Sequence, residues 1–121
     1  MSKTTREKGS EAENLAAAYL EAKGWTILDQ NYFFEHAEVD IVAYDQQFIV
    51  FVEVKARSNT FFGRPEEAIT PEKEKNIYKA AEAWIYERKM EGALVRFDVI
   101  AIIQKKDAGP DITHFEDAFR A

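Results

Sequence analysis

Apolar positions along the chain keep a helical rhythm first and a strand rhythm afterwards. Ala12, Leu15, Ala16 and Tyr19, with Leu20 beside them, share one face of a helix predicted to start at Ser10 and to stop at Gly24. Ser10 with Glu13 three residues on is a capping-box pattern, and glycine is the residue that most readily ends a helix. Residues 25–28 read as a short strand, and residues 31–34 lead into another. Residues 39–44 and 48–55 flank Asp45-Gln46-Gln47 and predict a β-hairpin. Its second arm is almost continuously apolar and β-branched, as a strand covered on both faces must be. Residues 56–70 form a loop marked by Gly63 and Pro65. Thr70-Pro71-Glu72 opens a second helix with Thr70 as N-cap and a buried stripe of Ile77, Ala80, Ala81, Trp84 and Ile85. A strand over 95–103, a turn with Gly109-Pro110 and a short strand over 112–115 complete the chain. This order predicts an α/β fold, a central mixed sheet flanked by helices.

Composition narrows the picture without changing it. At 121 residues, 46% of them hydrophobic, the chain has material for one core: a single domain over 10–121 behind a polar, flexible stretch at 1–9. No apolar run approaches the roughly 20 residues that span a bilayer, and no hydrophobic segment follows the first residues. No membrane association, no secretory signal and a cytoplasmic location are expected. The absence of cysteine excludes disulfides, thiolate zinc sites and cysteine nucleophiles.

Charge in the apolar hairpin carries the candidate chemistry. Glu53 and Lys55 end the most apolar strand and, two residues apart, point to the same face. With Gln46-Gln47 as the loop, Asp45 pairs with Phe48, and counting back along both arms places Asp40 across from Glu53. Residues so opposed have Cβ atoms roughly 4.5–5.5 Å apart. Two carboxylates at that distance repel unless a cation lies between them, and hard oxygen donors suit Mg²⁺ or Mn²⁺. Lys55 beside them would orient or help deprotonate a water, or steady charge developing on a phosphorane. A cross-strand ion pair of Lys55 with Asp40 or Glu53 explains the same residues without a metal. The two readings differ in what isosteric neutralisation does: the metal reading expects Asp40→Asn and Glu53→Gln to leave the metal-free protein at least as stable, the ion-pair reading less so.

The run from His36 through Ala37-Glu38-Val39-Asp40 to Ala43, followed by Phe51-Val52-Glu53-Val54-Lys55-Ala56-Arg57, resembles the core motif of the PD-(D/E)XK nuclease superfamily. More narrowly, the chain resembles the YraN-like family of bacterial predicted endonucleases, relatives in fold of Holliday junction resolvases and restriction endonucleases. The likeness extends over roughly residues 9–119, through the blocks at 12–20, 24–28, 62–69 and 96–100. It implies a restriction-endonuclease-like αβββαβ core, Asp40 and Glu53 as metal ligands, Lys55 as the catalytic lysine and Glu13 as a further acidic member of the site. Alanines stand at 12 and 37, where the family usually has glycine, and Val39 replaces the proline of the superfamily's name. Neither departure removes a candidate ligand. Junction-cutting relatives act as dimers, so a homodimer is the assembly that the resemblance implies.

Lesser candidates surround this core. Glu38 shares Asp40's face and is either a secondary metal ligand or a rim charge. Without the resemblance, Glu13 is a capping-box or solvated charge. Lys73, three residues into the second helix from its cap, either contacts phosphate or is solvated. Arg57 and Arg64, interleaved with Phe61 and Phe62, make a basic patch free of acidic residues, where cations grip phosphates and aromatics stack on unpaired bases or instead pin the loop to the core. The net charge is −6 (16 basic against 22 acidic residues), so any nucleic-acid surface is local. His36 reads as a loop residue and His114 as structural. The expected function is metal-dependent phosphodiester hydrolysis in nucleic acid, most simply a DNA endonuclease acting on branched or damaged DNA. A non-catalytic nucleic-acid-binding module and a protein-interaction adaptor on the same fold are the alternatives.

Overall fold

Among the described residues of the computed structural model, seven elements succeed one another: α1 (Thr5–Ala22), β1 (Thr26–Phe34), β2 (Ala37–Tyr44), β3 (Ile49–Arg57), α2 (Pro71–Glu87), β4 (Val95–Ile103) and β5 (Asp111–Phe119). The structure describes residues 5–57, 69–105 and 107–120, those at 5–9 as backbone only. The strands form one sheet in the order β1-β2-β3-β4-β5. Only β3 and β4 run parallel, joined across one face by α2, so the sheet is mixed and the αβββαβ order of a restriction-endonuclease-like core is present.

Double-sided burial explains the apolar run of β3. Val50 and Val52 face α1, packing with Ala12, Ala16, Ala17 and Leu20, while Ile49 and Phe51 face α2 and pack with Ile77, Ala80, Ala81 and Trp84. Small residues on both helix faces let the helices lie close to the sheet. Each buried aliphatic side chain contributes about 1.5–3 kcal/mol relative to exposure. Among the described residues, no helix is long and apolar enough to cross a membrane.

Several boundaries differ from the pattern-based expectation. The first helix begins at Thr5, so Ser10 lies inside it and does not cap it. Arg6, Glu7 and Lys8 are good helix formers that extend the helix without any apolar periodicity to announce it. Its C-terminal end is as expected: Gly24 at φ +90° closes a Schellman turn, Gly24 N–H donating to Glu21 (2.9 Å) and Trp25 N–H to Leu20 (3.1 Å). The two short segments at 25–28 and 31–34 are one strand, continued through a register shift between Ile27 and Asp29 and through Asn31 at φ 54°. The last strand reaches Phe119. The second helix starts as predicted, with Thr70 accepting from Lys73 N–H (3.1 Å) and Pro71 in the first turn.

The β2–β3 register is the expected one, from Tyr44↔Ile49 to Ile41↔Val52. What fixes it is Asp45. Its carboxylate accepts from Gln47 N–H (2.9 Å) and Phe48 N–H (2.7 Å), and its own N–H donates to the Phe48 carbonyl (3.2 Å). Gln46 takes φ 84° at the tip. Arg96 Nη1 clamps the other Asp45 oxygen at 2.9 Å. An Asx turn plus a strand-to-strand ion pair does here what an Asn-Gly turn does elsewhere.

Candidate active site

Hairpin pairing stops one residue short of the acidic positions. Beyond Ile41↔Val52 the Val54 N–H donates not to the neighbouring backbone but to Asp40 Oδ2, at 2.7 Å. Asp40 therefore stands at the point where β2 and β3 part, rather than as a ladder partner of Glu53. The site lies in the second half of β3, towards the carboxyl ends of the parallel pair β3–β4, where open α/β sheets habitually bind ligands. Asp40 is 8% and Glu53 6% exposed.

Two further carboxylates converge on Asp40. Oxygens of Glu13 from α1, Glu38 from β2 and Asp40 all lie within 4.8 Å of one another. Confinement of negative charge shows in their acidity. Burial, Glu53, Glu13 and Glu38 push the Asp40 carboxyl up to about 8, against the pull of the Val54 N–H. Burial and Glu38 likewise raise Glu13, although the side chains of Asn31 and Asp40 reach it as hydrogen-bond partners. Asp40 and Glu13 thus both resist ionisation in the metal-free protein.

Glu53 has cations beside it. Lys73 Nζ reaches across from the first turn of α2 to Glu53 Oε1 at 2.6 Å, and Lys55 Nζ lies 3.5 Å from the same oxygen. Burial and the adjacent Lys73 lower the pKa of Lys55, the direction that makes its ammonium a better proton donor. Burial opposes the charge on Lys73 too, but the contact with Glu53 outweighs it and raises Lys73. The ion pair read from the sequence thus exists at Glu53, alongside an acidic cluster at Asp40.

The remaining candidates divide. Arg57 is half-buried, its Nη1 donating to the Ala56 carbonyl at 2.9 Å. Phe61, Phe62 and Arg64 lie outside the described residues. His36 is exposed and borders, with Glu38, Lys73 and Asn76, a cleft of about 310 Å³. A wider groove of about 1250 Å³, floored by Tyr78, Phe97 and Phe119, contains none of the acidic cluster.

Pattern reasoning missed two arrangements. Asn31, read only as the start of the segment 31–34 that leads into a strand, holds Glu13 from a left-handed backbone position that asparagine tolerates well. Asp98, fully buried, accepts from Arg96 Nε (2.9 Å), Arg96 Nη2 (3.0 Å), Asp117 N–H (2.9 Å) and His114 Nε2 (2.7 Å). Lys23 Nζ sits 3.1 Å from the other ring nitrogen of His114, which assigns the ring's proton to Nε2. His114 is structural, as expected, and this network ties β4, β5 and α1 together. An aspartate flanked by apolar residues in a central strand was its only local signal.

Comparison with known proteins places the chain. A family model described as "Uncharacterised protein family UPF0102" matches residues 12–102. A UPF0102 protein of Geotalea daltonii is 46% identical over 111 residues, 92% of this chain and 87% of the relative. One from Chlorobium phaeobacteroides is 40% identical over 126 residues, covering 100% of this chain and 99% of its own length. One from Bifidobacterium longum is 41% identical over 119 residues, 96% of this chain and 95% of the relative. With the family model spanning most of the chain and relatives matched along nearly their whole lengths, this protein belongs to the UPF0102 family, the YraN-like family of the sequence comparison.

Proposed function

We propose that this protein hydrolyses phosphodiester bonds in nucleic acid, most simply as a DNA endonuclease, with help from Mg²⁺ or Mn²⁺. The observation that carries the reading is the convergence of Glu13, Glu38 and Asp40 at the end of a hairpin, with Glu53 and Lys55 on the adjoining strand. The donor set fits such an ion: three carboxylate groups on two elements offer hard oxygens within 4.8 Å, without sulfur or imidazole to favour softer metals. Asp40, Glu38 and Glu13 would hold the cation, and Glu53 would join them when it is not engaged by lysine. When bound, the ion supplies Lewis acidity, polarising the phosphate and acidifying water.

The chain's own residues supply the rest. Asp40 is held rigidly by the Val54 N–H, so its orientation costs little entropy at the moment of reaction. Lys55, 14% exposed and with its pKa lowered, is positioned to orient the attacking water and to meet charge developing on the phosphate. Lys73 at the cleft and Arg57 at the end of β3 would neutralise neighbouring phosphates locally, which a chain of net charge −6 requires. Titration with Mn²⁺, followed by calorimetry, tests the reading. The wild type should bind in the micromolar-to-millimolar range usual for such carboxylate sites, and Asp40→Asn should weaken binding at least tenfold, about 1.4 kcal/mol. Equal binding by both proteins would remove the support.

A further inference from the structure

The proposed site contains a cation already. Lys73 Nζ lies 2.6 Å from Glu53 Oε1, a carboxylate whose side chain is 7% exposed, yet the lysine's own side chain is 38% exposed. Its backbone is pinned by the Thr70 cap, while the four-carbon stem spans from α2 to β3. Lys55 approaches the same oxygen from the same strand at 3.5 Å and is 14% exposed. One lysine is thus built into the strand, and the other is tethered at the cleft mouth beside His36, Glu38 and Asn76 with room to withdraw.

Without Lys73, Glu53 would face the Glu13–Glu38–Asp40 cluster with, among the described residues, the longer contact to Lys55 as its one ion pair, and burying poorly compensated carboxylates is costly. An ammonium and a divalent cation seek the same hard oxygen. We propose that Lys73 is an internal counter-ion that occupies Glu53 in the metal-free protein and yields it to the divalent cation, swinging into the cleft where a substrate phosphate would arrive. This rests on the metal-dependent reading above. It makes metal affinity a competition, and it lets the protein fold stably before any metal is bound.

The test compares Lys73→Met with wild type, and uses Lys79→Met, an equal change of charge at an exposed position further along α2, as control. Mn²⁺ affinity is measured by calorimetry and melting temperature with and without Mn²⁺. Lys73→Met should bind Mn²⁺ about tenfold more tightly, the scale of one well-formed ion pair lost as competitor. Its metal-free melting temperature should fall by a few degrees, with a Mn²⁺-induced rise larger than that of wild type. Lys79→Met should stay within about twofold of wild type. Should the methionine variant fold poorly, Lys73→Gln is expected to shift affinity in the same direction. Wild type binding Mn²⁺ as tightly as, or more tightly than, the Lys73 variants would overturn the counter-ion role while leaving the metal site standing. No Mn²⁺ binding by any of the proteins would overturn both.

Discussion

Asp40 and Glu53 are both buried carboxylates, but their surroundings treat charge in opposite ways. Asp40 sits among acids with one backbone donor, whereas Glu53 sits between two lysines. Isosteric neutralisation should therefore divide them, where the metal reading of the hairpin expects both variants to be at least as stable as wild type and the ion-pair reading expects both to be less so. Asp40→Asn removes a resisted charge and keeps an oxygen for Val54, so metal-free stability at pH 7–8 should hold or rise. Glu53→Gln strands Lys55 and Lys73 and should cost roughly 1–3 kcal/mol. Urea unfolding in the presence of a chelator reads both. The pH dependence follows from Asp40's upward shift, from 3.8 to about 8. A raised acid binds its proton more tightly folded than unfolded, so this residue's contribution to metal-free stability declines as pH climbs from about 4 to about 8. Asp40→Asn should flatten that decline. Because a cation needs the carboxylate, Mn²⁺ affinity should rise with pH and level off above about 8, with proton release at pH 7. Calorimetry in buffers of different ionisation enthalpy would detect that proton; binding heats independent of buffer would contradict it.

At the scale of elements, local chemistry was legible and distant partnership was not. Thr70-Pro71 announces α2 because a cap and a preset φ act within one turn, and β3 announces itself because burial on both faces leaves no polar alternation. The hairpin loop could be counted, which placed Asp40 and Glu53 near one another, and Glu38 follows Asp40's face by strand alternation. Residues 5–9 gave no helical signal because their sequence contains no apolar periodicity, and β1 looked like two pieces because Asn31 and the bulge interrupt its rhythm. No spacing rule brings Lys73 to Glu53 or His114 to Asp98, since those contacts depend on how α2 and β5 dock. Asp98 lends itself to a clean prediction. Four donors surround a side chain of 0% exposure, and its pKa is lowered: burial works against this, but His114, Arg96 and the Asp117 N–H outweigh it. Its stabilising contribution is present above the unfolded pKa and is lost as pH falls below it. Asp98→Asn should cost roughly 3 kcal/mol in denaturant unfolding, leaving Mn²⁺ affinity per folded molecule unchanged because the network stands apart from the acidic cluster. A stability loss below about 0.5 kcal/mol would show that the network carries little of the fold.

For the whole molecule, a helix packed on each face of the sheet and the parting of β2 from β3 place acidic, lysine and cleft-lining side chains at one end of a rigid sheet. The surrounding chain is acidic overall, so approach of a polyanion depends on local cations and on neutralisation of the carboxylate cluster rather than on long-range attraction. Membership in UPF0102 is shared with relatives matched along nearly their entire length, so the arrangement can be tested within one compact chain. The most direct measurement incubates the protein with a panel of branched and linear DNAs in Mn²⁺ or Mg²⁺, alongside Asp40→Asn and a chelator control. The account predicts metal-dependent strand cleavage by wild type, abolished by the chelator and reduced at least a hundredfold in Asp40→Asn. Cleavage that persists undiminished in Asp40→Asn, or no cleavage of any member of the panel by a wild type shown to bind Mn²⁺, would contradict it.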